Sequence, residues 1–236
     1  MSEARKIEAI EGLRNPWRGL YLSAGAAALL MAALIVTQIA VYAIWMPPGE
    51  AEGMLALMGR NPALGLLSMD LLYLVDSVLL VIIYLGLYVA LRPYGESPML
   101  IATALGLVGV AAYFASNPAF EMLYLGRAYA AAAAPEERAA VVAAARGFME
   151  GYKGTAFNVY YVLNTLYLFV MTPVMGKGGL FGKTAVISGF AAAVLMIIPS
   201  SAGTVGLYFS LASLAPWLVW LVAVAPRFFG LAKRAA

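Results

Sequence analysis

The sequence contains no histidine and no cysteine, and only 11% of its 236 residues are charged. These absences exclude disulfide bonds, zinc and iron–sulfur sites built from cysteine or histidine, histidine- or cysteine-ligated haem, and Ser-His-Asp or Cys-His catalysis. Hydrophobic residues make up 64% of the chain, well above the roughly 45–50% of ordinary soluble domains. The composition therefore predicts a membrane protein whose main partner is the lipid bilayer.

The apolar residues lie in six long blocks, which indicates helices. The blocks cover residues 20–44, 63–91, 98–116, 155–175, 180–198 and 203–225. Each comes close to or exceeds the roughly 20 residues that one crossing requires. We therefore predict an all-α fold, a polytopic bundle of six transmembrane helices in a single integral membrane domain that covers residues 1–236. The second block is expected to tilt or to project from the bilayer because it is the longest.

Residues 1–19 precede the first block and predict an interfacial amphipathic segment. Apolar residues recur at helical spacing there, beside basic ones: Ile7, Ile10, Leu13 and Trp17. The first block is too long for the apolar region of a cleavable signal peptide, so we expect an uncleaved anchor.

The distribution of lysine and arginine predicts the topology. An N-terminus inside the cell places ten of the 15 basic residues on the cytoplasmic side and five outside, and the positive-inside rule favours this orientation. We expect a bacterial inner (plasma) membrane protein with both termini cytoplasmic. No lysine or arginine cluster is interleaved with aromatic residues, so we expect no nucleic-acid partner. The sequence gives no oligomeric state.

The segment 117–154 links the third and fourth blocks and predicts a helical hairpin outside the membrane. Residues 119–134 and 136–150 are rich in good helix formers, and Pro135 with acidic residues directly after it is typical of a helix start. The hairpin is either a connector or a lid over the outer face. Residues 46–61, with Pro47 and Pro48, are expected to form a shorter outer loop.

Two aspartates in the second block are the strongest functional signal. An ionised carboxylate at membrane depth costs about 2.5–3.5 kcal/mol, so Asp70 and Asp76 must face protein or water. At helical spacing both share an arc of about 120° with four hydroxyl-bearing residues: Tyr73, Ser77, Tyr84 and Tyr88. One polar face of this helix is therefore expected to point into the bundle.

The fourth predicted helix has a similar polar face, formed by Asn158, Tyr161, Asn164, Thr165 and Thr172. The two polar faces are expected to meet, with Gln38 of the first helix near them. Alternating helix direction places these residues toward the outer half of the membrane, with Tyr208 on the same side. The sequence thus predicts an outward-facing pocket, although asparagine, glutamine and aspartate also bond helices together without any binding role.

No lysine or arginine lies deep in a block, so each aspartate is either protonated or available to an external cation. Three functions fit. The first is binding of a small lipophilic or cationic ligand between tyrosine walls. The second is an intramembrane enzyme that acts on a lipid or isoprenoid with Asp70 or Asp76 as general acid or base. The third is a proton- or sodium-coupled transporter. We expect no metal site and no cofactor.

Several short motifs resemble those of a bacterial six-span membrane family catalogued as domain of unknown function 4386. They are Gly154 to Leu163 (GTAFNVYYVL), Phe181-Gly182-Lys183, Pro199 to Gly206 (PSSAGTVG), and the Asn117-Pro118 break before an alanine-rich segment. The resemblance implies the six-span architecture and no reaction.

Overall fold

The computed structural model describes residues 16–234 and contains helices and turns but no strand within that range. The helices are α1 (Arg18–Ile44), α2 (Ala51–Arg60), α3 (Pro62–Ser68), α4 (Leu71–Leu91), α5 (Glu96–Ser116), α6 (Ala119–Ala131), α7 (Pro135–Tyr152), α8 (Thr155–Gly178), α9 (Gly182–Leu195) and α10 (Gly203–Arg234). The predicted all-α fold is confirmed. Of the predicted amphipathic segment at residues 1–19, residues 1–15 lie outside the described range.

Five helical stretches in the described range are long and apolar enough to cross a membrane. They are Arg18–Ile44, Leu71–Tyr94, Glu96–Ala131, Pro135–Gly178 and Gly203–Arg234. A shorter apolar helix, Gly182–Leu195, lies between the last two. The chain is therefore an all-α membrane helical bundle, as its composition predicts.

Six helices form a ring. Each packs against the next in the order α1, α4, α5, α8, α9 and α10, and α10 returns to pack against α1. The largest buried cluster lies inside this ring, where the rings of Tyr84 and Tyr167 stack with centroids 3.8 Å apart. Small residues permit this packing: a Cβ on Gly106 would lie 2.7 Å from the Tyr84 ring. The interior of the ring is therefore tightly packed.

The expected single helix over residues 63–91 is wrong. The chain breaks after α3, and Asp70 adopts the left-handed conformation with φ 58° before α4 begins at Leu71. A left-handed residue cannot continue a right-handed helix, and aspartate tolerates this conformation better than most residues. Asp70 therefore lies at the end of the spanning helix and not within it.

The expected outer loop at residues 46–61 is also wrong, because α2 occupies most of it. Pro47 and Pro48 precede this helix and leave room for its first turn at Ala51. Its buried residues follow helical spacing: Ala51, Met54, Leu55 and Met58. A helix that buries one such face is stable even though it is only ten residues long.

The predicted helical hairpin is confirmed as α6 and α7. Pro135 is the first residue of α7, and the Glu137 carboxylate accepts hydrogen bonds from the backbone N–H groups of Ala133 and Ala134. The hairpin packs with α2 and α3 around a second buried cluster of its own. We call these four helices the cap. The end of the bundle that carries the cap is the cap end, and the opposite end is the basic end.

Charged residues divide unequally between these two ends. At the basic end, within residues 16–234, seven basic side chains accompany one acidic residue, Glu96: Arg18, Arg92, Lys177, Lys183, Arg227, Lys233 and Arg234. The cap and its flanking turns carry five basic residues and six glutamates: Arg60, Arg127, Arg138, Arg146 and Lys153, with Glu50, Glu52, Glu121, Glu136, Glu137 and Glu150. The bundle is therefore electrically asymmetric along its axis.

Candidate functional site

Asp70 connects three parts of the fold at the cap end. One carboxylate oxygen accepts a hydrogen bond from the Tyr42 hydroxyl near the end of α1. The other oxygen accepts one from the Tyr152 hydroxyl at the end of α7. We call these three residues the latch, because they join the cap to two spanning helices.

Burial brings the ionisation of the latch carboxylate closer to neutral pH than that of an ordinary aspartate. Burial raises the pKa of Asp70 to about 6, although the Tyr42 hydrogen bond and the nearby positive charge of Lys153 oppose the increase. Above that pKa the ionised form predominates, and Asp70 therefore carries a negative charge at the cap end of the bundle, in contact with Tyr152 of the cap.

Asp76 lies one and a half turns further along α4 and is only 1% exposed. Within residues 16–234 no group donates a hydrogen bond to its Oδ1 atom. The adjacent Ser77 hydroxyl donates instead to the backbone carbonyl of Tyr73, 2.9 Å away. A buried carboxyl oxygen without a partner is costly, and such groups mark sites that bind a proton, a cation or a ligand.

Aromatic rings from α4, α5 and α8 pack together at the cap end of α4. The Tyr73 hydroxyl lies 2.7 Å from that of Tyr160 on α8. The Tyr113 ring of α5 has its centroid 5.1 Å from that of Tyr73 and 5.0 Å from that of Tyr160. Phe157 extends this group toward Tyr152 of the latch, at 6.1 Å. We call Tyr73, Tyr113, Phe157 and Tyr160 the aromatic cluster.

Below the aromatic cluster, Asn164 bridges α4 and α8 as predicted. Its side-chain oxygen accepts a hydrogen bond from the Tyr84 hydroxyl, and its amide donates to the Tyr160 carbonyl at 3.0 Å. Asn164 also lies directly against Gly109 of α5, which has no side chain to obstruct it. The polar face of α4 and part of α8 therefore meet inside the ring.

Three other polar residues of α8 make hydrogen bonds away from α4, so the predicted meeting of the two polar faces is confirmed only in part. Asn158 accepts a hydrogen bond from the Ser201 hydroxyl at 2.7 Å. The Tyr161 hydroxyl lies 2.8 Å from that of Ser210, and Thr165 donates to the Met196 carbonyl at 3.0 Å. These contacts face α9 and α10, because α8 packs between two neighbours and its arc of about 120° spans both.

Two further predicted residues are separated from the aromatic cluster. Gln38 is buried and donates to the Leu67 carbonyl at 3.2 Å, beside the break between α3 and α4, while its side-chain oxygen lacks a partner within the described range. Tyr208 is 67% exposed on α10 and is not part of the candidate site. The ring of Tyr161, by contrast, packs against Phe157 and Tyr160 of the aromatic cluster, with centroids 5.2 and 5.7 Å away. The candidate site therefore contains six residues from the sequence prediction, with Gln38 at its margin: Asp70, Tyr73, Asp76, Ser77, Tyr161 and Asn164.

Three tyrosines that the sequence reasoning did not select complete the site. Tyr42 and Tyr152 hold Asp70, and Tyr160 holds Tyr73. Tyr160 precedes Asn164 by one helical turn, a spacing that places both on one side of a helix. That spacing could have identified Tyr160, whereas Tyr42 and Tyr152 meet Asp70 only through the tertiary fold.

A shallow groove of about 530 Å³ lies nearby, along the first two turns of α8. It is lined by residues of α8 itself and the turn before it, including Asn158, Val159 and Val162. Val162 is 54% exposed. The groove therefore opens on the outer surface of the ring and is separate from Asp76.

Comparison with known proteins found no matching family model. No curated relative and no solved structure matches the chain either.

Proposed function

We propose that this protein binds a small cationic ligand at the cap end of a membrane helical bundle, with Asp76 as the charge partner and the aromatic cluster as its walls. The observation that carries the proposal is Asp76 itself, which is almost fully buried with one carboxyl oxygen lacking a donor. A cation at this oxygen would offset the cost of burying the carboxylate.

The surrounding residues suit a cation better than a neutral ligand. Tyrosine faces attract cations through their ring quadrupoles, and Tyr73 and Tyr160 bring two such rings beside α4. Asp70 adds a second negative charge on the same side. The rings pack closely, so the proposal favours a small cation over a bulky lipophilic one.

In this proposal the ligand enters past the latch, where Tyr152 of the cap and Tyr42 both donate hydrogen bonds to Asp70. Of the two roles that the sequence leaves open for the hairpin, this contact favours the lid. In the proposed cycle, release of Tyr152 from Asp70 admits the ligand to the aromatic cluster, and the same contact closes behind it.

Tetramethylammonium is the probe for a binding test with the purified full chain in detergent. We expect it to raise the melting temperature in a saturable manner, whereas tert-butanol, which is neutral and similar in size, has no such effect. Asp76→Asn is expected to weaken apparent binding about 30-fold, because it removes the charge partner in a desolvated site.

The matched control is Glu121→Gln, which neutralises an exposed carboxylate on α6 of the cap. It should bind tetramethylammonium like the unmodified chain. Equal binding by the Asp76→Asn protein, with a normal melting temperature in the absence of probe, would refute the proposal.

We further propose that the chain crosses the membrane six times with both termini cytoplasmic. Support comes from α9, which is a member of the ring and runs beside α8 from Gly182 to Leu195. Its 14 residues give a helix about 21 Å long. This is shorter than the hydrocarbon core of a bilayer, so the turn after α9 would complete the membrane crossing. The excess of basic residues at the basic end supports a cytoplasmic position for that end. Location in a bacterial inner membrane and membership of the domain of unknown function 4386 family belong to the same proposal.

A coupled transporter is the second candidate, favoured by buried polar atoms that continue beyond Asn164. Within the described residues the Tyr167 hydroxyl, the Thr172 hydroxyl and the Trp220 indole N–H lack hydrogen-bond partners. Buried polar atoms without partners are sites for water or a proton. Uptake of tetramethylammonium into proteoliposomes, driven by a pH gradient and absent from the Asp76→Asn protein, would establish transport rather than binding alone.

A further inference from the structure

A second cavity lies at the basic end, far along the bundle from Asp76. It is a cleft of about 580 Å³ between the first turn of α9 and the latter half of α10. Val219 and Val222 of α10 line it, and they are 49% and 57% exposed. Exposed valines on a spanning helix face lipid, so the cleft opens toward acyl chains.

Two basic side chains lie at one end of this cleft. Arg227 belongs to the last turns of α10, and Lys183 to the first turn of α9. They come together because the Arg227 guanidinium packs over Gly182: a Cβ at Gly182 would lie 3.1 Å from its Nη2 atom. No acidic residue lines the cleft. Neither cation forms an ion pair within residues 16–234.

The start of α9 reinforces the positive character of this end. The helix begins without a side-chain cap, so its first backbone N–H groups have no side-chain acceptor within the described residues. Lys183 in this first turn is electrostatically unfavourable against the helix dipole. A bound phosphate could accept hydrogen bonds from these N–H groups and form ion pairs with the two cations.

We propose that this cleft binds an anionic phospholipid. The headgroup phosphate lies between Arg227, Lys183 and the start of α9, where the Thr184 hydroxyl is a further donor. One acyl chain runs along Leu218, Val219 and Val222. A lipid fits better than a soluble phosphate compound because the cationic end continues directly into an apolar wall that is open to the bilayer. The basic end is the cytoplasmic leaflet in the topology proposed above.

Native mass spectrometry of the full chain in detergent, titrated with phosphatidylglycerol, tests this site. We expect tighter binding of phosphatidylglycerol than of phosphatidylcholine, and an increase of about 30-fold in its apparent Kd for the double variant Lys183→Gln/Arg227→Gln. The matched control, Arg127→Gln/Arg146→Gln, neutralises two exposed cations of the cap and should bind like the unmodified chain.

A third variant tests the contribution of the lipid tail to binding separately from that of the headgroup. Val222→Trp retains both cations but fills the apolar part of the cleft, so it should also weaken binding of phosphatidylglycerol. Inorganic phosphate in excess should not displace the lipid.

Three results would overturn the proposal: unchanged phosphatidylglycerol binding in the Lys183→Gln/Arg227→Gln protein, unchanged binding in the Val222→Trp protein, or full displacement by inorganic phosphate. Asp76→Asn should leave lipid binding intact, so failure of this site is distinguishable from failure of the cation site at the cap end.

Discussion

Polar side chains are arranged differently at the two ends of the bundle. At the cap end, the Asp70 carboxylate accepts hydrogen bonds from two tyrosine hydroxyls, and Asp76 is buried with one carboxyl oxygen that has no donor among the described residues. At the basic end, Lys183 and Arg227 have no ion partner within the described residues and border an apolar cleft. The first arrangement is enclosed by protein, and the second is open to lipid.

The two proposals give the two ends different ligands. An enclosed carboxylate surrounded by aromatic rings is suited to a small cation that enters from the aqueous side. An exposed pair of cations beside an apolar wall is suited to an anionic amphiphile that never leaves the membrane. Each substitution below perturbs one end and is paired with a control, from the largest expected effect to the smallest.

The largest expected effect comes from Trp220→Ala, in the ring and away from the cap. Trp220 is fully buried, and its indole lies 3.0 Å from the position of a Cβ on Gly189 of the neighbouring helix. Removing it leaves a cavity and is expected to cost about 3–5 kcal/mol of unfolding free energy. Thermal unfolding in detergent measures the loss. Val219→Ala, at a lipid-exposed position, should change stability little, and equal losses would contradict this packing.

A smaller effect is expected from Gly126→Ala, within the cap. The new methyl group would meet Met58 and the Leu55 carbonyl where α6 crosses α2, so overpacking should cost about 1–3 kcal/mol. Gly147→Ala is the control, because no atom lies within 4 Å of its Cβ position; it should stabilise α7 by up to about 1 kcal/mol. The rate of proteolysis within the cap measures the change in stability for both variants. A loss of stability in the Gly126→Ala protein together with a gain in the Gly147→Ala protein would support the cap as a packed unit. Stability changes of the same sign in both proteins would contradict it.

The smallest effect is expected from Tyr152→Phe, which removes one hydrogen bond to Asp70 and leaves the aromatic ring in place. Because the chain lacks cysteine, Ser68→Cys supplies a single reporter thiol at a buried position at the end of α3, within the cap. If Tyr152→Phe removes about 1 kcal/mol of free energy that holds the cap closed, the maleimide labelling rate of this thiol should increase about 5-fold.

Tyr124→Phe, an exposed tyrosine on α6, is the control for this change and should leave labelling unchanged. If Tyr152→Phe also leaves the rate unchanged, the latch does not govern opening of the cap.

Much of the fold could be predicted from hydropathy, because a span must be long and apolar and little else fits a bilayer. The hairpin was also predictable from Pro135 and its alanine-rich flanks. The break at Asp70 was not, because a left-handed residue inside an apolar run leaves hydropathy unchanged. For α2, the helical spacing of Met54, Leu55 and Met58 was present, but Pro47 and Pro48 obscured it.

The site was predicted only in part, for a physical reason that α8 illustrates. Depth and burial cost identify Asp76 and Asn164 as inward-facing, since neither can meet lipid. They do not say which neighbour a side chain will meet. Asn158 and Asn164 share one arc in sequence, yet one bonds toward α10 and the other toward α4. Tyrosines such as Tyr42 bury readily in many settings, so their roles emerge only from the packed structure.

The most direct test of the central claim is an experimental structure of the full chain solved with tetramethylammonium. The account predicts density for the cation beside Asp76 Oδ1, bordered by the rings of Tyr73 and Tyr160, and its disappearance in the Asp76→Asn protein. Density confined to the groove along residues 154–163, with Asp76 unchanged in its packed surroundings, would contradict the account.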